Sequence, residues 1–489
     1  MTLDTIPSQR TIKIIIFILI TCVKILCIPS YRSTDFDVHR NWLAITRHLP
    51  LKEWYFDTRN GTTVHTLDYP PTFAYFEYVL SNNPMTNLLL SRGILDERCL
   101  ALLPDTDNEP SQECVVFHRM TVIMSDLILW IGASVACCGD HSFLLIVLNP
   151  GLLWLDHVHF QYNGAMLGIL LASLGLLVRG YHHQGISYHL HHLGSAFLYS
   201  LLITLKHLYI PLAPLYLVYF LSNYCFHNTT FSIRNFTLVG VITLMTLIMP
   251  FVPFLLQSNP LNQMQQIIHQ LFPFGRGLVH DYWAGNIWAL YLFLDKVLIK
   301  IGGMPPAPEV TPSICAGFLF LGLLPACLCA WRATPRTFIR CVVFSSLSSF
   351  MLAYHVHEKA IMTAIIPLTI LIQGEGERRL YFRMNVFGLI GLFPLLFRPV
   401  ELSFKVFSYL AFMGLILNVY SGLNLPKLDV WMIGLLSMLI LYSEFLHPLL
   451  IQPHMEFLPL MCVSVFCALG MIGCWLDSGF QLLTSINKA

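Results

Sequence analysis

The chain reads as a succession of apolar stretches separated by short polar ones. The first runs from Ile14 to Ile28 behind Arg10 and Lys13, and others lie near 119–138, 142–156, 164–179, 193–210, 211–225, 236–256, 313–331, 339–354, 360–373, 384–398, 404–420, 428–446 and 456–476. Several fall short of the ~20 residues that an untilted helix needs to cross a bilayer, so the boundaries of the helices they predict are soft. Lys24 inside the first run favours an uncleaved anchor over a signal peptide. Residues 30 to about 117 carry many charges and no long apolar run, which predicts a long luminal loop.

The stretch 284–301 decides the topology beyond it. If it spanned, Arg332, Arg336, Arg340, Arg378, Arg379 and Arg383 would be luminal, against the positive-inside bias. An interfacial helix inside a luminal loop at 257–312 puts all six in the cytosol, and Asp295, Lys296 and Lys300 interrupt the run as such a helix would. The reading is an all-α polytopic membrane protein of about 14 spans with both termini cytosolic. It divides into an N-terminal helical module at 1–256 that includes the luminal loop 30–117, the loop 257–312, and C-terminal helices at 313–489.

Composition agrees with that solvent. Hydrophobic residues make up 56% and charged residues 11% of the 489, against roughly 25% charged in soluble proteins, and mean hydropathy is +0.65. A formal net charge of +1 leaves no electrostatic footprint for nucleic acid. The 14 cysteines are scattered through apolar stretches, as at Cys137, Cys138, Cys327 and Cys329, and read as small buried hydrophobes. Cys99 and Cys114 share the oxidising luminal loop and could pair. Asn60-Gly-Thr62 is a usable glycosylation site there, whereas the sequons at Asn228 and Asn235 face the cytosol.

The polar motifs gather on the luminal side: YRSTDFDVHRNW at 31–42, TLDYPP at 66–71, DHVHFQYNG at 156–164, FPFGRGLVHDYW at 272–283 and HVHEK at 355–359. Asp35 and Asp37 follow the first helix, beside His39, Arg40 and Trp42, where a carboxylate could take a proton from a sugar hydroxyl. The same pair, with Thr34, would also suit helix capping. Asp68 stands before a proline-forced turn and could position an acceptor hydroxyl. His355, His357 and Lys359 are cation candidates for a phosphate; His-x-His without the i, i+4 spacing or a third ligand argues against zinc, and Lys359 could simply snorkel. Arg276 between two glycines could grip a phosphate in a bidentate fork or be solvated, and Lys206 could neutralise a lipid phosphate or snorkel.

Other signals carry less. Asp105-Thr106-Asp107 spells a metal-holding triplet, but no strand–helix alternation or glycine-rich loop supports a nucleotide-binding domain. The histidines 182, 183, 189, 191 and 192 have no carboxylate or cysteine beside them and stay unassigned. Asp126, two turns after Arg119, reads as an interhelical hydrogen-bonding group.

YRSTDFDVHRNW, TLDYPP, DHVHFQYNG, LFPFGRGLVHDYWAGNIWALY and SSFMLAYHVHEKAI resemble, in order and over most of the chain, the dolichyl-phosphate-glucose-dependent α-1,3-glucosyltransferases of the endoplasmic reticulum. The DYW…NIWALY…LDKVL portion looks most like the members that add the second glucose to the lipid-linked oligosaccharide. Two departures from the family stand out: Asp37 replaces the glutamate usual after Asp-Phe, and the linker near 302–312 is short.

The resemblance implies a GT-C fold and a multi-pass endoplasmic-reticulum enzyme with a luminal active site. It implies transfer of glucose, with inversion, from dolichyl-phosphate-glucose to Glc1Man9GlcNAc2-diphospho-dolichol. The alternatives are addition of the first glucose to Man9GlcNAc2-diphospho-dolichol or, in another class, a secondary transporter. Asp35 would be the base, Asp37 and Asp68 would bind substrate, and Arg276, His355, His357, Lys359 and Lys206 would serve donor and lipid phosphate, with neither metal nor cofactor. A transporter would place paired broken helices and ionisable groups at mid-membrane, whereas these motifs lie at one end of the helices.

Overall fold

The computed structural model describes residues 9–56, 65–102, 109–136, 139–181, 183–227, 230–280, 282–303, 305–450 and 455–486. Asn60, the Asp105–Asp107 triplet, Cys137, Cys138, His182 and Asn228 lie outside them. The described chain is helical apart from one short antiparallel pairing of Phe226–His227 with Thr230–Phe231.

Each predicted apolar stretch coincides with helix, and eight helices are long and apolar enough to cross a membrane. They are Gln112–Ala136, Asn163–Gly180, His207–Cys225, Ile233–Leu255, Pro312–Ala330, Pro399–Val419, Lys427–Leu450 and Leu458–Ser485. Among the described residues eight helices thus meet that length and composition, and the expected count of fourteen is not confirmed. The remaining stretches are shorter, interrupted or more charged. Gln9–Leu26 carries Arg10, Lys13 and Lys24, and 142–156 is broken into Asp140–Val147, Pro150–Leu152 and a π-helical Leu153–Val158. The break falls at Pro150, which has no amide hydrogen to continue the ladder, and Asn149 accepts from Gly151 N to start the chain again. The 284–301 stretch folds as Ile287–Gly302, 16 residues long and not among the eight, and ends on Gly303 at φ 57°.

Helices Gln112–Ala136 and Asn163–Gly180 touch backbone to backbone. A Cβ on Gly132 would stand 2.0 Å from the Gly168 carbonyl oxygen, and one on Gly168 would stand 2.4 Å from that of Ile128. Between membrane helices, where lipid offers no hydrophobic drive to associate, such small residues let dispersion do the work. By contrast, Ile233–Leu255 and Lys427–Leu450 expose Phe236, Leu244, Trp431 and Met438, as lipid-facing helices do.

Charged groups between the helices are paired. Asp126 accepts from Lys24 at 2.6 Å and from His157 at 2.7 Å, which is the interhelical role expected of it. Arg119 donates to the carbonyls of Tyr31 (2.8 Å), Val158 (3.0 Å) and His157, tying the chain after the first helix to the 153–158 segment. Glu377 binds Arg336 at 2.9 Å and Arg340 at 2.5 Å and also accepts the backbone N–H groups of Gln373 and Gly374. Cys99 and Cys114 form a disulfide, and most other described cysteines are buried thiols.

Candidate active site

Helix Thr34–His48 begins after Ser33, whose backbone is extended and whose hydroxyl donates to the His159 carbonyl rather than capping the helix. Asp35, in the first helical turn, does not cap it either. Its Oδ2 accepts from Lys359 Nζ at 2.5 Å, Gln161 Nε2 at 2.6 Å and His159 Nε2 at 3.1 Å. No described residue bonds its Oδ1, and 24% of the side chain remains exposed. One oxygen is anchored and the other is presented. Burial alone would raise the Asp35 carboxyl, but the Lys359 ammonium and the His159 hydrogen bond outweigh it and hold the group well below the usual carboxylate range.

Two of those donors come from adjoining positions of one irregular segment. His159 and Gln161 flank Phe160, a buried residue at φ 81°, where a side chain other than glycine is strained. That reversal lets both neighbours reach a single carboxylate. The Phe160 ring is kept in place by Phe36, His39 and Tyr162 at centroid distances of 5.1–5.8 Å. Burial, reinforced by Lys359, pushes the His159 imidazole below its ordinary range, with Asp35 opposing; its Nδ1 faces the Tyr31 hydroxyl at 2.7 Å.

Lys206 is one side chain removed from Asp35. Its Nζ lies 3.4 Å from Gln161 Oε1 and 2.9 Å from Asn163 Oδ1, over the Tyr69 ring at 5.2 Å. Asn163 is itself fixed by Asp156, which accepts its backbone and side-chain N–H groups at 3.1 and 3.0 Å and the Gly164 N–H at 2.6 Å. The polar motif at 156–164 thus supplies both a rigid start to helix Asn163–Gly180 and two ligands to the carboxylate.

HVHEK joins the loop of Arg276 to this cluster. His355, at φ 52°, donates its backbone N–H to the Leu278 carbonyl at 2.9 Å, and its Nδ1 meets the Gly277 carbonyl at 2.9 Å. His357 packs on His280 with ring centroids 4.6 Å apart; burial, with Lys359 and His280 adding to it, holds its imidazole well below the ordinary range and neutral. Arg276 reaches Asp68 at 3.2 Å, so two residues assigned separate roles from sequence form one pair. Burial raises the Asp68 carboxyl, with Arg276 opposing. Asp37 stands apart, bonded to Arg32 at 3.2 Å and near Arg40 at 3.9 Å.

The rings of His280, His355 and His357 lie together and supply the third histidine that the sequence left unnamed, yet they are not among the described groups placed to hold a metal. The described group that does converge, Cys99, Cys114 and His118, has its sulfurs in the disulfide. Of the other histidine cluster, His183 stacks on His191 and His192 on Tyr224, an aromatic packing role. Sequence reasoning missed His159, Gln161, Tyr69 and His280. All four sat in the luminal motifs, and for His159 and Gln161 alternate polar residues around an aromatic were the available signal.

Residues 20–478 match the model of the ALG6, ALG8 glycosyltransferase family. The chain belongs to this family. Among curated relatives, the mouse protein named dolichyl pyrophosphate Glc1Man9GlcNAc2 alpha-1,3-glucosyltransferase is 37% identical over 95% of this chain and 94% of its own length. The Arabidopsis thaliana protein of the same name is 34% identical over 98% and 99%, and a probable one from Drosophila melanogaster is 36% identical over 92% and 91%. The matched span of the ALG6, ALG8 family takes in every segment that meets at Asp35. Membership bears out the GT-C polytopic architecture and the glycosyltransferase expected from the sequence, and it displaces the transporter reading.

Proposed function

We propose that this chain transfers glucose from dolichyl-phosphate-glucose to Glc1Man9GlcNAc2-diphospho-dolichol at the luminal face of the endoplasmic-reticulum membrane, making an α-1,3 linkage with inversion. The acceptor follows the printed name of the full-length relatives, which favours the second glucose over the first. The observation that carries the chemistry is the Asp35 carboxylate, with Oδ2 fixed by three donors and Oδ1 open.

In this reading the acceptor hydroxyl oxygen bonds to the anomeric carbon as the bond from that carbon to the phosphate oxygen breaks. The hydroxyl proton passes to Asp35 Oδ1, and the electron pair leaves with dolichyl phosphate. One displacement turns a β-linked donor into an α-linked product, so no covalent carboxylate is required. Lys359 lies beside the base and offers its positive charge to the leaving phosphate, with His357 near it and Arg276 and Lys206 around the cluster. As Lys359 turns toward the donor phosphate it releases its grip on Oδ2, and Asp35 becomes a stronger base when the donor is in place. Asp68, paired with Arg276, borders the acceptor side.

Purified protein reconstituted with dolichyl-phosphate-glucose and mono-glucosylated lipid-linked glycan tests the proposal. Formation of the di-glucosylated product is expected. Transfer to the unglucosylated glycan alone would move the chain to the first glucose, and transfer abolished by EDTA and restored by a divalent cation would replace Lys359 as the source of positive charge.

A further inference from the structure

A cavity of about 690 Å³ lies far from Asp35. Its lining includes Val178 near the end of helix Asn163–Gly180 and Arg336 and Ile339 near the start of helix Pro335–Leu352. Asn163 and the 355–359 loop, at the other ends of those two helices, belong to the Asp35 site. At 1.5 Å per residue, 18 residues in each helix set the two sites about 27 Å apart along the bundle. The cavity is therefore at the opposite membrane face, and its volume is in the range of small-molecule sites.

Its charge is one-sided. No lining residue is acidic, and the nearby Glu377 is spent on Arg336, Arg340 and two backbone N–H groups. Arg336 is correspondingly occupied, since it also donates to the Leu371 carbonyl at 2.7 Å. Arg378 is not. It makes no ion pair with any described residue, its Nε is buried without a hydrogen-bond partner, and its guanidinium rests over the Tyr420 ring at 5.3 Å, a contact that orients the fork. A guanidinium that lines the cavity and whose side chain makes no hydrogen bond or ion pair with a described residue is available to an acceptor from outside. Val178, Ile339 and Ile370 continue the cavity as an apolar wall.

We propose that this cavity is a binding site for a phosphate group, with Arg378 as its ion-pairing residue, and that an anionic phospholipid headgroup is the form in which the phosphate arrives. A guanidinium matches phosphate oxygens as a planar fork, and the apolar wall beside it accepts the start of an acyl chain.

The test is native mass spectrometry of the full-length protein with dioctanoyl phosphatidylglycerol, dioctanoyl phosphatidylcholine and inorganic phosphate. Phosphatidylglycerol should be retained at least tenfold more tightly than phosphatidylcholine, Arg378→Ala should remove that preference, and Arg378→Lys should keep part of it. Val419→Phe, which narrows the cavity without touching its charge, should weaken lipid retention and serves where Arg378→Ala does not fold. Competition by inorganic phosphate at comparable concentration would keep the site and make free phosphate its ligand. Equal retention of both lipids, or a preference that survives Arg378→Ala in folded protein, would overturn the proposal.

Discussion

Asp35 and Glu377 are both carboxylates bound by cations from distant segments, and they differ in what is left over. Both oxygens of Glu377 are taken, by two permanently charged guanidiniums and two backbone N–H groups, and its side chain is 8% exposed. Asp35 gathers three donors on one oxygen, keeps the other free and is 24% exposed. The donors also differ in kind: a lysine, a histidine and an amide can each be displaced at modest cost, whereas an arginine fork closed on a carboxylate cannot. Saturation marks a carboxylate that ties helices together, and an unfilled oxygen marks one placed to react.

The contrast breaks most visibly at the base itself. Asp35→Asn keeps the size and most hydrogen bonds of the side chain but cannot accept the proton, so transfer in the reconstituted assay should fall by ~10²–10⁴-fold while the protein still reaches the membrane. Near-full transfer by folded Asp35→Asn would move the base elsewhere, with Asp68 next in line. Lys359→Met should lower kcat/KM for the donor by roughly 10²-fold, the scale of losing one group that stabilises developing negative charge, and Lys359→Arg should recover part of it.

A smaller effect sharpens the role of the irregular segment. His159→Ala removes a donor that depresses Asp35, so the carboxyl pKa rises. Because the rate depends on the ionised form, the acid limb of the pH–rate profile should move to higher pH, while the rate on the neutral plateau, where Asp35 stays ionised, changes little. An unmoved acid limb would leave His159 a packing residue. At the other carboxylate the expectation reverses: Glu377→Gln should cost about 1–3 kcal/mol of stability, seen as a lower unfolding temperature, and leave the kinetics of the folded fraction unchanged. The smallest change belongs to Asp37→Asn, less than about threefold in transfer, since Asp37 lies outside the Asp35 network among Arg32 and Arg40.

Much of this was legible in the sequence, and the parts that were not share a cause. The apolar stretches marked the helices because desolvating a backbone in lipid forces helix whatever the side chains. HVHEK stood out because ionisable residues at membrane depth are costly to place, and Asp35 because it follows the first helix beside His39, Arg40 and Trp42. Their pairing across 324 positions could not be read, and neither could that of Asp68 with Arg276 across 208, since nothing local records which helix ends become neighbours. Phe160 was illegible for another reason. No propensity announces a left-handed phenylalanine, because surrounding rings impose the conformation that aims His159 and Gln161. The breaks that leave eight long apolar helices depend likewise on proline, charge and π-helical turns, which hydropathy averages away.

The backbone contact between Gly132 and Gly168 bears on how any map of substitution tolerance over this chain is read. A single methyl at either position would have to push apart two helices, one of which carries Asn163 five residues from Gly168, and would shift the partners of Lys206 and Gln161 without touching either. Such positions would score as intolerant as Asp35 in a growth selection, although they carry no chemistry. The two kinds separate by abundance: a variant at Gly168 should vanish from the membrane fraction, whereas one at Asp35 should be present there in full and silent.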